Sequence, residues 1–156
     1  MTTRGPGPAT IGRMNQAMRR IYVVVLGLLL ASGALQFYLA AVGAFTKPQT
    51  EDSFSLHVAN GRMVFPILSI LAVIAAALAK APGKLIGHTL APLGLIIVQS
   101  LIIVLGNVIG GATEQRSTPV ALAILGLHAV NGMVIMGVLG NLMRKARAHL
   151  RAAVTP

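Results

Sequence analysis

Leu56-His57-Val58-Ala59-Asn60-Gly61-Arg62-Met63-Val64-Phe65 and Leu127-His128-Ala129-Val130-Asn131-Gly132-Met133-Val134-Ile135-Met136 are one motif written twice. Leu, His, Asn and Gly coincide at four equivalent positions, and most of the remainder is apolar in both copies. Each copy opens or lies inside an apolar run long enough to cross a bilayer. Four such runs occur, at about 20–45, 54–80, 84–110 and 118–144. Each exceeds the roughly 20 residues that span a hydrocarbon core of about 30 Å.

The composition agrees with this reading. Of 156 residues 55% are hydrophobic and 10% charged, with mean hydropathy +0.79. Soluble domains carry about 25% charged residues. The net charge of +10 raises the question of nucleic acid. The basic residues sit at the ends of apolar runs, not on an aromatic-laced stripe, so nucleic acid is excluded as a partner. The absence of cysteine excludes disulfides, thiolate metal sites and covalently attached haem.

The fold class expected is all-α: an integral membrane up-down four-helix bundle, with a duplicated two-helix hairpin suggested by the repeat. Asp52 and Ser53 are N-cap candidates for the second helix. Ser117 or Thr118 before Pro119 marks the start of the fourth. Pro82-Gly83 reverses the chain, and Lys47-Pro48 breaks it after helix one. Three regions follow: a disordered cytoplasmic segment 1–18, a transmembrane domain 19–145 and a basic tail 146–156. The first run is too long for the 7–15-residue core of a signal peptide, which makes it a retained helix.

Orientation follows from Lys and Arg placement. Arg4, Arg13, Arg19 and Arg20, then Lys80 and Lys84, then Arg144, Lys145, Arg147 and Arg151 all fall on one side. The other side has Lys47, Arg116 and all three acids, Glu51, Asp52 and Glu114. Both termini are therefore expected in the cytoplasm, and the location expected is a bacterial inner membrane, crossed several times.

An ionisable residue inside a membrane span costs free energy unless something binds it. His57 and His128 lie on diagonal helices of such a bundle, so both can approach its centre. That pattern suits two axial ligands of a b-type haem, haem b, with His57 and His128 on the metal. Asn60 and Asn131 follow at i+3, and Gly61 and Gly132 at i+4, on the histidine face. The glycines would leave room for a flat macrocycle, and the asparagines would bond a propionate, a water or a neighbouring helix. Arg62 would meet a propionate, an acid in the outer loops (Glu51, Asp52 or Glu114), or the outer surface by snorkelling. The competing reading is packing, in which His, Asn and Gly join helices and no cofactor is involved. A quinone-binding or channel-like role is a third.

Depth opposes the shared iron. His57 lies four residues past Ser53, and His128 ten past Thr118. Six residues amount to about 9 Å along a helix. His88, four residues after Lys84, is expected too near the cytoplasmic face to replace His57. Gln36, Gln99 and Asn107 are expected to make interhelical hydrogen bonds, and the Gly106/Gly110 pair to allow close packing or self-association. No carboxylate lies inside a span, and HExxH, P-loop and nucleophile-elbow motifs are absent, so no catalytic residues are identified.

The segment Gln36-Phe37-Tyr38-Leu39-Ala40-Ala41-Val42-Gly43-Ala44-Phe45, the His opening helix two, and Leu127-His128-Ala129-Val130-Asn131-Gly132 resemble a family of small bacterial four-helix membrane proteins of unknown function. The resemblance runs from Arg19 to Arg147 and implies no established activity. More distantly, His on helices two and four is similar to one half of haem A synthase and to other membrane b-type cytochromes. There His57 and His128 match the haem-ligand positions. Ser53 and Val58 stand where that comparison usually has Glu and often Arg. The first departure tells against synthase catalysis, and neither touches haem ligation. The resemblance thus implies an electron-transfer or haem-handling module. The alternative is an accessory subunit of a larger membrane complex or a homo-oligomer.

Overall fold

The computed structural model describes residues 8–111 and 116–152. Helix α1 runs Pro8–Phe45. The second span opens with a 3-10 turn (Glu51–Phe54), continues as α2 (Ser55–Ala59), passes through a π turn (Asn60–Val64) and ends as α3 (Phe65–Leu78). Helices α4 (Gly83–Ile109) and α5 (Pro119–Arg151) complete an all-α bundle of four long helices. Each is long and apolar enough to cross a membrane, so the chain is a multi-pass membrane protein. Neighbours in the ring are α1 with α3, α3 with α4, α4 with α5 and α5 with α1. The second and fourth spans therefore face each other across the diagonal.

The helix limits differ from the expected ones in instructive ways. α1 starts ahead of residue 20 and α5 continues past residue 144, because basic residues are good helix formers and do not end a helix. Residues 1–7 and 153–156 lie outside the described residues, as does Glu114. The second span is capped by Thr50, not by Asp52 or Ser53. Ser53 stands at N3, and its Oγ accepts from the Thr50 N–H at 2.9 Å. Thr118 caps α5 as expected, accepting from the Ala121 N–H with Pro119 in the first turn. The reversal after α3 is a two-bond C-cap. Lys80 N donates to Ala77 O and Ala81 N to Ala76 O, with Lys80 in the left-handed region (φ 50°).

Pro66 explains the π turn. It lacks an N–H, and its ring would clash with the carbonyl of Arg62 one α-turn earlier. The wider turn relieves this, and Phe65 N donates to Asn60 O, five residues back. The buried stripe of the second span shows the consequence: Asn60, Phe65, Ser69, Ala72, Ala76, Ala79. The step of five from Asn60 to Phe65 is the inserted residue. In α5 the matching stripe is Asn131, Ile135, Leu139, Leu142, Ala146, with an ordinary step of four. The two copies of the motif share their histidine end and fall one residue out of phase below it.

The packed core occupies the basic end. Tyr22, Leu26 and Leu29 of α1 and Leu139 and Leu142 of α5 are fully buried against the alanines of α3. Small residues on one helix receive large ones from its neighbours, which suits association in lipid, where apolar burial from water gives no drive. Tyr22 donates to Thr89 Oγ1 (2.7 Å), and Thr89 donates to Leu85 O. Arg19 Nη1 donates to His149 O (2.8 Å), and the His149 ring meets Ala79 O through Nε2 (3.2 Å). His149, inside the stretch 146–156 expected to be a basic tail, thus joins α5 to the end of α3.

At the opposite end, α4 and α5 close on glycine. A Cβ at Gly106 would lie 2.7 Å from Leu125 Cδ2, and one at Gly110 2.7 Å from Ala121 Cα. The Gly106/Gly110 pair is used for packing within the chain. Gly106→Val should therefore lower stability by about 1–3 kcal/mol through overpacking. Gly126→Val, where nothing lies within 4 Å of the added Cβ, should leave it nearly unchanged. Thermal unfolding in detergent distinguishes the two.

Candidate functional site

The two histidines meet. Their ring centres are 6.1 Å apart, with planes inclined by 51°. The depth mismatch expected from the outer helix starts narrows, because Thr50 and not Ser53 caps the second span: His57 lies seven residues past its cap (57 − 50) and His128 ten past Thr118 (128 − 118). Ala79 and His149 are level, as their contact shows. His57 precedes Ala79 by 22 residues (79 − 57), and His128 precedes His149 by 21 (149 − 128). His88 lies at the basic end, where Lys145 Nζ donates to its Nδ1 at 3.1 Å, far from this pair.

Each histidine is set in a hydrogen-bonded frame, and the two frames are copies. Gln36 Nε2 donates to His57 O (2.8 Å), and Gln99 Nε2 to His128 O (2.9 Å). Asn60 Nδ2 donates to Gln36 Oε1 (2.6 Å), and Asn131 Nδ2 donates to Gln99 Oε1. The second amide hydrogen goes to the backbone four residues before the glutamine. Asn60 bonds Ser32 O (3.1 Å) and Asn131 bonds Leu95 O (2.9 Å). Each Gln–Asn pair thus clamps the first helix of a hairpin to the second. Both glutamines do the interhelical work expected of them, whereas their equivalence is not visible in the motif itself. The intervals Gln36–Asn60 and Gln99–Asn131 differ by eight residues, which the loops absorb. An alignment of the two hairpins anchored at the helices would have found it.

The copies differ at the imidazoles. His57 Nδ1–H donates to Gln36 O (3.0 Å), which leaves Nε2 as the acceptor, 3.3 Å from the Gln36 amide nitrogen. Phe54 packs edge-on against the same ring. His128 Nδ1 is buried and has no partner among the described residues. Ser32 Oγ also donates to Asn60 Oδ1 (2.9 Å), a bond without counterpart in the second copy.

These residues can be tested against a haem. The ring centres are near enough that His57 and His128 could both hold one ion. His57 is oriented through its second nitrogen, as metal-binding histidines are. Among the described residues no third His, Cys, Asp or Glu joins them in a metal-binding group. An ion held by this pair would need its remaining ligands from elsewhere, as iron has from a porphyrin. The expected cradle differs. A Cβ at Gly61 would lie 2.6 Å from Gln36 Nε2, and one at Gly132 3.2 Å from Phe37 Cζ. The glycines make room for Gln36 and Phe37, not for a macrocycle. Both amide hydrogens of Asn60 and of Asn131 are committed to helix pairing. Arg62 is exposed on the π turn and has no partner among the described residues.

A family of unknown function (DUF6220) matches residues 36–106, just short of half the chain. The match opens at Gln36, includes His57, Asn60 and Gln99, and closes at Gly106, before His128. No curated protein and no solved structure matches the chain.

The clamps carry a stability prediction. Asn60→Ala strands Gln36 Oε1 and Ser32 Oγ, at an expected cost of about 1–2 kcal/mol in detergent unfolding. The double variant Gln36→Leu/Asn60→Leu should cost less than the sum of its singles, since each single strands the other's partner. Strict additivity would contradict the clamp.

Proposed function

We propose that the protein binds one b-type haem within the membrane, with His57 and His128 as axial ligands, and serves as an electron-transfer or haem-handling module. The observation that carries this reading is the imidazole pair: two rings from diagonal helices, 6.1 Å between centres, one held by a backbone carbonyl and the other without a polar partner for its buried Nδ1. When bound, the iron would supply one-electron chemistry. The chain's own residues do the rest. Gln36 O holds the His57 tautomer so that Nε2 carries the lone pair. The amide of Gln36 covers that nitrogen and must turn aside for a ligand to reach it. Below the pair, the packed layer from Leu29 to Tyr22 separates the site from the basic end. Exchange is therefore directed to the opposite face, which the distribution of Lys and Arg makes the outer one.

A second reading, a cofactor-free accessory subunit of a membrane complex, draws support from the glycines. The space they leave is taken by Gln36 and Phe37, so the repeated motif already has a use in packing.

Visible spectra of protein purified from haem-replete cells separate the two. A narrow reduced α band with about one haem per chain is expected. It should be lost in His57→Ala and His128→Ala and kept in His88→Ala. A folded, colourless protein would overturn the haem reading in favour of the accessory subunit.

A further inference from the structure

A seam between α1 and the second span runs from the acidic end of the bundle into the apolar region. Its deeper part, about 490 Å³, is lined by Leu35, Leu39, Ala59, Met63 and Ile67. Its mouth, about 320 Å³, is lined by Thr46, Thr50, Asp52 and Ser55. Leu39 and Leu56 belong to both, so the two are continuous. From Leu56 to Ile67 is eleven residues, or about 16 Å of helix. That is about half of a 30 Å hydrocarbon core, the depth of one leaflet.

The mouth is polar, with one carboxylate in its lining and one ammonium in the loop beside it. Asp52 is exposed, and its carboxylate has no partner among the described residues. Lys47, in the loop that ends at Thr50, is also exposed and without one. An apolar slot one leaflet deep, ending in one acid with one base in the adjacent loop, has the polarity of a zwitterionic phospholipid. The carboxylate selects a headgroup ammonium that can donate hydrogen bonds, which a trimethylated ammonium cannot. The same carboxylate disfavours a net anionic headgroup. In the deeper part a quinone finds no free side-chain donor, since both amide hydrogens of Asn60 are committed. We infer that this seam is a binding site for phosphatidylethanolamine from the leaflet at the acidic end, with its ammonium on Asp52, its phosphate facing Lys47 and one acyl chain along Leu39, Ala59, Met63 and Ile67. The site is independent of the histidine pair.

Native mass spectrometry of the full chain in detergent tests this. The lipids titrated are phosphatidylethanolamine, phosphatidylcholine and phosphatidylglycerol with identical acyl chains. Phosphatidylethanolamine should be retained about two- to fivefold over the other two, the discrimination one exposed ion pair supplies. Asp52→Asn should erase that preference and Asp52→Glu keep it. Ala59→Phe should fill the slot and remove the bound lipid, while Ile97→Phe on exposed α4 should not. Unchanged unfolding temperatures of these surface variants keep lipid loss separate from misfolding. Equal retention of the three lipids, a preference that survives Asp52→Asn, or retention unaffected by Ala59→Phe would overturn the site.

Discussion

The constraint from which this structure follows is the absence of water between the helices. In hydrocarbon a polar group must find its partner within the protein. The chain places Gln36, Asn60, Gln99 and Asn131 inside its spans and satisfies them pairwise, each pair joining the two helices of one hairpin. In lipid, where apolar contact gives little drive for association, such bonds and close packing fix which helices pair and in what register. The register of each hairpin sets the height of its histidine. Because both hairpins use the same clamp, both histidines arrive at the same height. Their meeting is a product of the repeat.

The copies are not identical below that level, and the reason is local. Pro66 forces one wide turn in the second span, and α5 has no equivalent. The extra residue shifts the buried stripe so that Asn60 and the alanines of α3 face inward together. Without it, a helix continuing from Asn60 would turn Phe65 and Ser69 away from the core. The π turn therefore reconciles a polar clamp at one end with a small-residue packing face at the other. It also leaves Arg62 on the outside, where the second copy of the motif has Met133.

Much of the fold was legible in the sequence. Four apolar runs, Pro119 after Thr118 and the Pro82-Gly83 reversal place the helix ends at the loops within a few residues, whereas the two outer ends run on, α1 back to Pro8 and α5 to Arg151. The equivalence of His57 and His128 also reads directly from the repeat. Their convergence did not, because counting from Ser53 starts the second span late, where Thr50 caps it, and the basic residues do not mark the inner helix ends either. Charge marks where lipid ends, and α5 runs on to Arg151 while His149 reaches the close of α3. What the glycines accommodate in this structure was not legible either, for a different reason. A missing side chain shows that something comes close, but not what. At Gly61 it is Gln36, a residue 25 positions away (61 − 36) on another helix.

The central claim is that the two imidazoles share one site at one depth. Solid-state NMR of the chain in bilayers tests it directly, with labelled histidine and with His88→Gln and His149→Gln to leave only the pair. Rings 6.1 Å apart should give a direct dipolar cross-peak between the two imidazole spin systems. Two resolved imidazoles with no cross-peak, as an offset of about 9 Å in depth would produce, would contradict it.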